Sequence, residues 1–154
     1  MTEQKQINRV IAEGLKAVTG CEVVKANLTK APIPPYPYIS FSITQTETRK
    51  GTYSEGEKCY IPLSQTWSIT VQGENDDEAL QKAMEARDWL EEAGRLELAD
   101  QGIVVGHVGA IHNRDTLLTL EYEYRKGFDV VLSLMNVVDK EREEVIEQAE
   151  IRKE

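Results

Sequence analysis

The sequence predicts an α+β domain with a mostly antiparallel sheet, two main helices packed on one face of it, and a long projecting β-hairpin. Residues 3–18 and the stretch between Asn75 and Gly94 carry apolar residues at the spacing of amphipathic helices. Other segments alternate apolar and polar residues, as half-buried strands do. Short turn-forming sequences separate these strands, so that neighbouring strands pair antiparallel and the helices cover one face.

Composition and charge limit the class of protein. The chain has 154 residues, a formal net charge of −9 and 29% charged residues, which predicts a single globular domain over residues 1–154. A protein that grips nucleic-acid phosphates needs a basic surface, and this balance is acidic. Because no apolar run approaches the roughly 20 residues that cross a bilayer, and no signal peptide opens the chain, we expect no membrane association.

The metal-ligating and catalytic residue types are few and badly spaced for chemistry. The two cysteines, Cys21 and Cys59, and the two histidines, His107 and His112, lack the short paired spacing of zinc sites. We interpret the cysteines as small buried hydrophobic residues. His107 lies in an apolar stretch without a nearby nucleophile or base, which favours an ordinary strand residue. We therefore expect no catalysis, no metal and no cofactor.

The first element is an amphipathic helix over residues 3–18, capped by Thr2 and ended by Gly20 in the left-handed conformation. A short extended segment begins at Cys21 and continues to Val24. The predicted apolar stripe of the helix consists of Ile7, Val10, Ile11, Gly14, Leu15 and Val18.

A proline-rich segment leads into the next strand. Pro32, Pro34, Pro35 and Pro37 fix their φ angles and disfavour helix in the residues before them, so the segment is stiff and extended. From Tyr38 the residues alternate as in a half-buried strand. Since proline has no N–H group to pair, the segment is expected at a sheet edge or outside the sheet. It is interpreted either as a rigid linker or as a docking strip.

A long hairpin follows. Its second strand spans about 57–72, and Lys50–Gly56 carries the glycines, serine and charges typical of a hairpin tip. Pro62 predicts a bulge or an edge position within that strand. The alternative to a projecting hairpin is an irregular surface loop.

The second helix begins at Asn75, whose side chain can cap it with Glu78 reaching back. Gly94 is predicted to end it, and Leu96–Gly102 to form a turn or a helical fragment. Its apolar stripe consists of Ala79, Leu80, Ala83, Ala86 and Leu90.

The third part of the chain is predicted as strand again. Ile103–Ile111 is a strand in which Gly106 and Gly109 leave room for a close neighbour, and Asn113–Asp115 reads as a turn.

A further hairpin closes the predicted sheet. Its strands are 116–124 and Phe128–Val138, joined by a turn at Arg125–Gly127 whose glycine supplies a positive φ. Phe128–Val138 is nearly apolar on both faces and is therefore expected to be a central, buried strand. The charged segment 139–144 precedes a C-terminal segment, 143–152, that fits either a helix or an edge strand.

Several of these motifs resemble one family. Tyr36–Phe41, the helix start Gly73–Ala79, Arg125–Val130 and the closing segment Val145–Ile151 occur in the order found in tailed-phage neck proteins. More narrowly, the sequence resembles the tail terminator (tail-to-head joining) family of bacteriophages and prophages. The resemblance extends over most of the chain.

The resemblance implies a structural virion protein of the tail and neck, assembled in the bacterial host cytoplasm. It implies a homo-oligomer, a six-fold ring that caps the tail tube protein and joins it to the head connector, and no catalysis. DNA would pass through such a ring without tight binding, in keeping with the acidic charge. We predict subunit or partner contacts at Pro34, Pro35, Tyr36, Pro37, Tyr38, Tyr53, Glu55, Gly127 and Phe128.

The acidic residues give two further interpretations. Glu55 and Glu57, or Glu121 and Glu123, either line the DNA path or form an ordinary solvated surface. Two other functions stay open on sequence alone, since fold does not determine function. One is another head–tail connector or minor tail subunit, and the other is a monomeric ligand-binding or regulatory domain.

Overall fold

The computed structural model describes residues 3–26, 32–48, 51–118 and 121–139. These residues form three helices and one eight-stranded, mostly antiparallel sheet, which confirms the predicted α+β class. In chain order the elements are α1 (Gln4–Thr19), β1 (Glu22–Lys25), β2 (Tyr38–Thr48), β3 (Tyr53–Glu55), β4 (Lys58–Gly73), α2 (Asp76–Glu91), α3 (Ala93–Ala99), β5 (Ile103–Val108), β6 (His112–Asn113), β7 (Thr116–Leu117) and β8 (Tyr122–Asp139).

The main strand order of the sheet is β1-β2-β4-β8-β5, and β3, β6 and β7 make shorter pairings with β4 or β8. Only β1 and β2 pair in parallel among the strands of the described residues. Strand β8 is central, as predicted, because it pairs with β4 on one side and β5 on the other. One sheet face is buried beneath the helices, where Trp67 and Ile69 of β4 lie beside Val130 and Phe128 of β8.

The predicted turn at Arg125–Gly127 is wrong. Strand β8 runs without interruption from Tyr122 to Asp139, and Gly127 pairs with Thr70 of β4 and His112 of β6. The chain instead reverses between Leu118 and Glu121, where the amide of Leu118 donates to the carbonyl of Glu121 at 2.7 Å. The glycine thus allows Arg114 and the backbone of Ile69 to approach β8 closely and does not reverse the chain.

The predictions for the preceding segments are wrong for the same reason. Residues 116–124 do not form one strand, because the reversal lies inside that range. Asn113–Asp115 does not reverse the chain either. It separates β6 from β7, and both of these pair with β8 in the same direction.

Helix α1 buries Ile7, Ile11 and Leu15, as its periodicity predicts. Val18 is wrong as a core residue, being 40% exposed, and Thr19 is buried in its place. Gly20 ends the helix at φ 75°, as predicted. The residue before the first turn is Glu3, without a side-chain cap, and the predicted cap Thr2 lies outside the described residues.

Helix α2 has the predicted Asn75 cap, with the Asn75 Oδ1 accepting from the Glu78 amide at 3.1 Å. Leu80 is exposed and not part of the core, whereas Trp89, which lies outside the predicted stripe, is buried. Gly94 does not end α2, which stops at Glu91; it lies inside α3, against the indole of Trp89. Gly94 is small because the Trp89 ring packs against it. A sequence cannot distinguish this packing role of glycine from its role in ending a helix.

The long projection is present but contains more than a hairpin. Strand β2 pairs with β4 as far as Thr48 and Leu63, and β3 then pairs with β4 around a turn whose Gly56 has φ 62°. Strand β8 accompanies β4 to the pair Lys58 and Asp139. We call residues 51–63 and 134–139 together the arm.

Pro62 causes no bulge towards β8, since it pairs in register with Met135. The register shift lies instead in β2, between Ile43 and Gln45. Cys21 is buried as predicted, Cys59 is half-buried, and the closing segment 143–152 lies outside the described residues. None of the helices in the described ranges combines the length and apolar character needed to cross a bilayer.

Candidate assembly surfaces

The proline segment, residues 32–37, runs outside the sheet and leads directly into β2, as predicted. We call it the strip. Its anchor is Tyr36, whose ring stacks on Tyr38 at a centroid distance of 5.8 Å and whose hydroxyl donates to the carboxylate of Glu123. The Tyr36–Pro37 peptide bond is cis. The strip is therefore bonded to β8, a strand 87 positions further along the chain.

Glu123 is the buried partner in this contact. It is 4% exposed and also accepts from the Arg125 Nε, so its carboxylate is fully engaged. The hydrogen bond to Glu123, followed by burial, raises the pKa of Tyr36 to about 12, because both favour the protonated phenol. Glu123 is consequently not part of an exposed acidic surface, and its interpretation as a lining residue is wrong.

Exposed apolar side chains occur both on the strip and at the residues that join β7 to β8. Ile33 is 78% exposed and Leu117 76% exposed, and Leu118 and Tyr122 are also exposed. Leu117 pairs with Tyr122, which precedes Glu123, the residue that accepts from the strip's anchor Tyr36. We call the strip and residues 117–122 together the sheet-end surface, without the two undescribed residues 119–120. Its apolar character indicates a contact region.

An ionic cluster lies beside this surface. The Lys126 Nζ contacts Asp115 at 2.7 Å and Asp76 at 2.8 Å, and the Tyr122 hydroxyl donates to the second Asp115 oxygen at 3.1 Å. Burial alone would raise the pKa of Asp115, but hydrogen bonds from Lys126 and the Arg125 amide outweigh it and hold the pKa below its usual value. The cluster ties the β6–β7 segment and β8 to the first turn of α2.

The arm carries the second group of exposed residues. Tyr53 is 53% exposed and stacks on Tyr60 of β4 at 4.8 Å, and Glu55 beside it is exposed. Val138 of β8 is also exposed. An aromatic pair and an aliphatic side chain thus stand on strands that project from the domain, which is typical of an interface anchor.

The two surfaces lie at opposite ends of the sheet. Lys58 begins β4 in the arm, whereas Gln72, near its other end, pairs with Tyr38 beside the strip. At about 3.3 Å per residue, the distance along β4 is about 45 Å. The predicted contact residues therefore separate into Pro34, Pro35, Tyr36, Pro37 and Tyr38 at one end and Tyr53 and Glu55 at the other.

Gly127 and Phe128 face no surface. Phe128 is fully buried in the core, which is incompatible with the predicted partner contact. Gly127 lies beneath Arg114: a Cβ there would be 2.5 Å from the Arg114 Nη1 and 2.7 Å from the Ile69 carbonyl. The Arg114 guanidinium crosses the helix-free sheet face and donates to Ser68 and Thr70, each at 2.8 Å. Gly127 and Phe128 therefore belong to the interior of the fold and not to a contact surface.

Sequence reasoning missed the buried role of Glu123, the contacts of Arg114 and the exposure of Leu117 and Leu118. The buried acid carries no local signal, because its partner Tyr36 is distant in sequence. The two leucines did carry one, since consecutive apolar residues beside a turn do not fit the alternation of a single strand.

The described part of the chain shows few features of a catalytic or metal-binding site. No group of three or more His, Cys, Asp or Glu residues is arranged to hold a metal ion within it. A groove of about 140 Å³ between α1 and strands β5 and β8 is lined by residues such as Ile7, Val10 and Leu134, with no acid or base.

The family model of the phage neck terminator protein matches residues 5–154.

The chain belongs to the phage neck terminator family.

The family of neck terminators consists of structural phage proteins of the tail and neck, as the motif resemblance indicates. The match extends over nearly the whole chain, so it includes both the arm and the sheet-end surface of this neck terminator. No individual curated protein matches the sequence significantly. The terminator thus has its place in the virion neck, where its contacts are with other tail and head proteins.

Proposed function

We propose that this neck terminator assembles as a six-fold ring that caps the tail tube and joins it to the head connector. The observation that carries the proposal is the placement of two exposed apolar surfaces at opposite ends of one sheet. A closed ring needs a heterologous interface, in which one patch of a subunit contacts a different patch of the next. The arm and the sheet-end surface are two such patches.

The chemistry of the two surfaces suits this pairing. The arm presents the stacked rings of Tyr53 and Tyr60, and the sheet-end surface presents Ile33 and Leu117 together with stiff prolines. Prolines lose little conformational freedom on docking, because their φ angles are already fixed. Anchoring through Tyr36 reduces the freedom of the strip further.

The DNA path follows from the same ring. Because each chain has a formal net charge of −9, a ring of six copies is strongly negative and repels DNA, which favours passage of the DNA over its binding. Glu55 and Glu57 on the arm and Glu121 at the sheet end are exposed, and each is a candidate for the lining. We expect no measurable binding of double-stranded DNA in an anisotropy titration at low salt. Micromolar binding that weakens steeply with salt would instead favour a connector that grips DNA.

A mixing experiment tests the head-to-tail contact. Tyr53→Glu places a charge on the arm, and Ile33→Glu places one on the strip; both positions are exposed, so the fold is retained. Each variant should fail to form rings at the ends of terminator-free tail tubes in electron micrographs. In a one-to-one mixture, the Tyr53→Glu chain keeps an intact sheet-end surface and the Ile33→Glu chain keeps an intact arm. One chain of each kind can therefore pair, and the mixture should form dimers of about twice the 17.4 kDa chain mass in sedimentation.

Controls separate the possible contacts. Glu97 on α3 is exposed and lies outside both surfaces, so Glu97→Lys should leave ring formation unchanged. Self-association of the Ile33→Glu variant alone would reveal an arm-to-arm contact. Wild-type protein that neither self-associates nor attaches to tube ends would overturn the proposed function.

A further inference from the structure

Strand β5 ends the main strand order of the sheet beside β8, and its sequence is prone to pairing. Ile103–Val108 contains no formally charged residue and no proline, and Val104 is 55% exposed. An uncharged strand rich in β-branched residues at a sheet edge is a template for a further strand. A second copy of the same chain presents the same strand.

Two arginines from the helices contact the backbone of this segment. The Arg95 Nη1 donates to the carbonyl of Val105 at 2.7 Å, and its Nη2 donates to that of Gly106 at 3.3 Å. The Arg87 Nε donates to the carbonyl of Gly109 at 2.7 Å, and its Nη2 to that of Val108 at 3.1 Å. The carbonyls of four of the five residues from Val105 to Gly109 therefore already accept hydrogen bonds from arginine side chains.

Glu91 orients both arginines. Its Oε1 lies 3.3 Å from the Arg87 Nη2 and its Oε2 lies 3.8 Å from the Arg95 Nη2. Glu91 is the last residue of α2 and lies four positions after Arg87 and four before Arg95. Each of its two carboxylate oxygens therefore faces one of the two guanidinium groups. The planar guanidinium suits the task, because its fixed donors reach two neighbouring carbonyls at once.

We propose that Arg87 and Arg95 block the β5 edge against strand addition by a second copy of this chain. An added strand must take its hydrogen bonds from edge carbonyls, and here it would have to displace two charged donors first. This role goes beyond the proposed ring. The two arginines would prevent edge-to-edge pairing of free subunits before the arm and the sheet-end surface make their contacts.

The test removes both guanidinium groups while keeping the aliphatic stems. The double variant Arg87→Met/Arg95→Met should associate in sedimentation velocity with a dissociation constant at least about tenfold below that of its control, the minimum expected from a few added backbone hydrogen bonds. Hydrogen exchange should show β5 amides becoming more protected as concentration rises. The control, Arg9→Met/Lys82→Met, makes the same change in net charge on α1 and α2 at residues for which no β5 contact is found.

A third variant locates the contact. Val104→Lys, added to the double variant, places a charge on the exposed face of β5 and should abolish the association. Association that persists after the Val104→Lys substitution, or equal association of the double variant and its control, would overturn the proposal. Should the double variant fail to fold, each single variant is compared with Arg9→Met or Lys82→Met. Either single variant must then associate more strongly than its control, and equality in both pairs overturns the proposal.

Discussion

The indole of Trp89 lies directly against the backbone of Gly14. A Cβ built on Gly14 would stand 2.3 Å from the Trp89 Cη2, and one built on Gly94 would stand 2.4 Å from its Cδ2. Trp89 itself is 7% exposed. One side chain of α2 thus fits between a glycine of α1 and a glycine of α3, and it sets how closely the three helices pack.

This packing reverses the usual effect of replacing a helical glycine. In an isolated helix, Gly14→Ala would stabilise by about 1 kcal/mol. Here the added methyl collides with a rigid ring, and overpacking of this kind costs about 1–3 kcal/mol. We expect Gly14→Ala to lower the free energy of unfolding in urea titrations.

The control for this prediction changes the ring. In a Trp89→Leu background the methyl has space, so Gly14→Ala should be neutral or stabilising there. The same loss of stability in both backgrounds would show that Trp89 is not the cause.

Gly127 allows Arg114 and the backbone of Ile69 to approach β8. Gly127→Ala should lower the free energy of unfolding by about 1–3 kcal/mol, because the new Cβ meets both atoms at less than contact distance. In an Arg114→Ala background, one of the two collisions is gone, and the cost of Gly127→Ala should fall. Equal costs in both backgrounds, measured by urea titration, would contradict this packing.

The pair Asp115 and Lys126 should make stability depend on pH in a defined way. Asp115→Asn removes the charge facing Lys126 and should cost on the order of 2 kcal/mol at pH 7. The pKa of Asp115 is lowered by folding, so its stabilisation is complete above the ordinary value of 3.8 and is lost as the pH falls through the folded pKa. The pKa of Lys126 is raised, so its share is lost only as the pH rises beyond 10.5.

Urea titrations at several pH values check this prediction. The difference between wild type and Asp115→Asn should be constant from about pH 5 to pH 9 and should narrow below pH 3.8. Glu121→Gln, at an exposed carboxylate, is the matched control and should cost little at any pH. A difference that already narrows between pH 7 and pH 5 would contradict the paired state of Asp115.

Tyr36→Phe should release the strip while leaving the core intact. The substitution keeps the ring stack on Tyr38 but removes the hydrogen bond to Glu123. Hydrogen exchange of the amides of Ile33 and Tyr36, the two strip residues that are not proline, should accelerate by about tenfold or more, as expected for a lost charge-assisted bond. The exchange of β4 amides should not change.

The alkaline titration of wild type supplies a second measurement. Because the pKa of Tyr36 is raised to about 12, its hydrogen bond is complete below the ordinary value near 10 and is lost as the pH rises through about 12. The latest tyrosine to ionise in an ultraviolet titration should disappear in Tyr36→Phe. Tyr53→Phe, which keeps the stack on Tyr60, is the control and should leave that latest ionisation in place.

Elements with local signals were predictable from the order of the amino acids. The periodicity of α1, the Asn75 cap and the long alternation of β4 each depend on residues within a few positions of one another. The nearly apolar run after Phe128 predicted a central strand, and β8 is central in the sheet. Only its helix-covered face is fully buried, since Asp129 on the other face is exposed. The family motifs are also local.

The roles of the glycines and of the buried polar residues emerged only from the folded chain. Gly94 and Gly127 were predicted as a helix stop and a turn, yet they make room for Trp89 and Arg114. The local sequence around a glycine is the same whether it supplies a positive φ or merely lacks a Cβ, so no pattern separates the two. The contact of Tyr36 with Glu123, and the distance between the strip and the arm, depend on which strands become neighbours. Strand order follows from packing over the whole chain, and no short segment carries it.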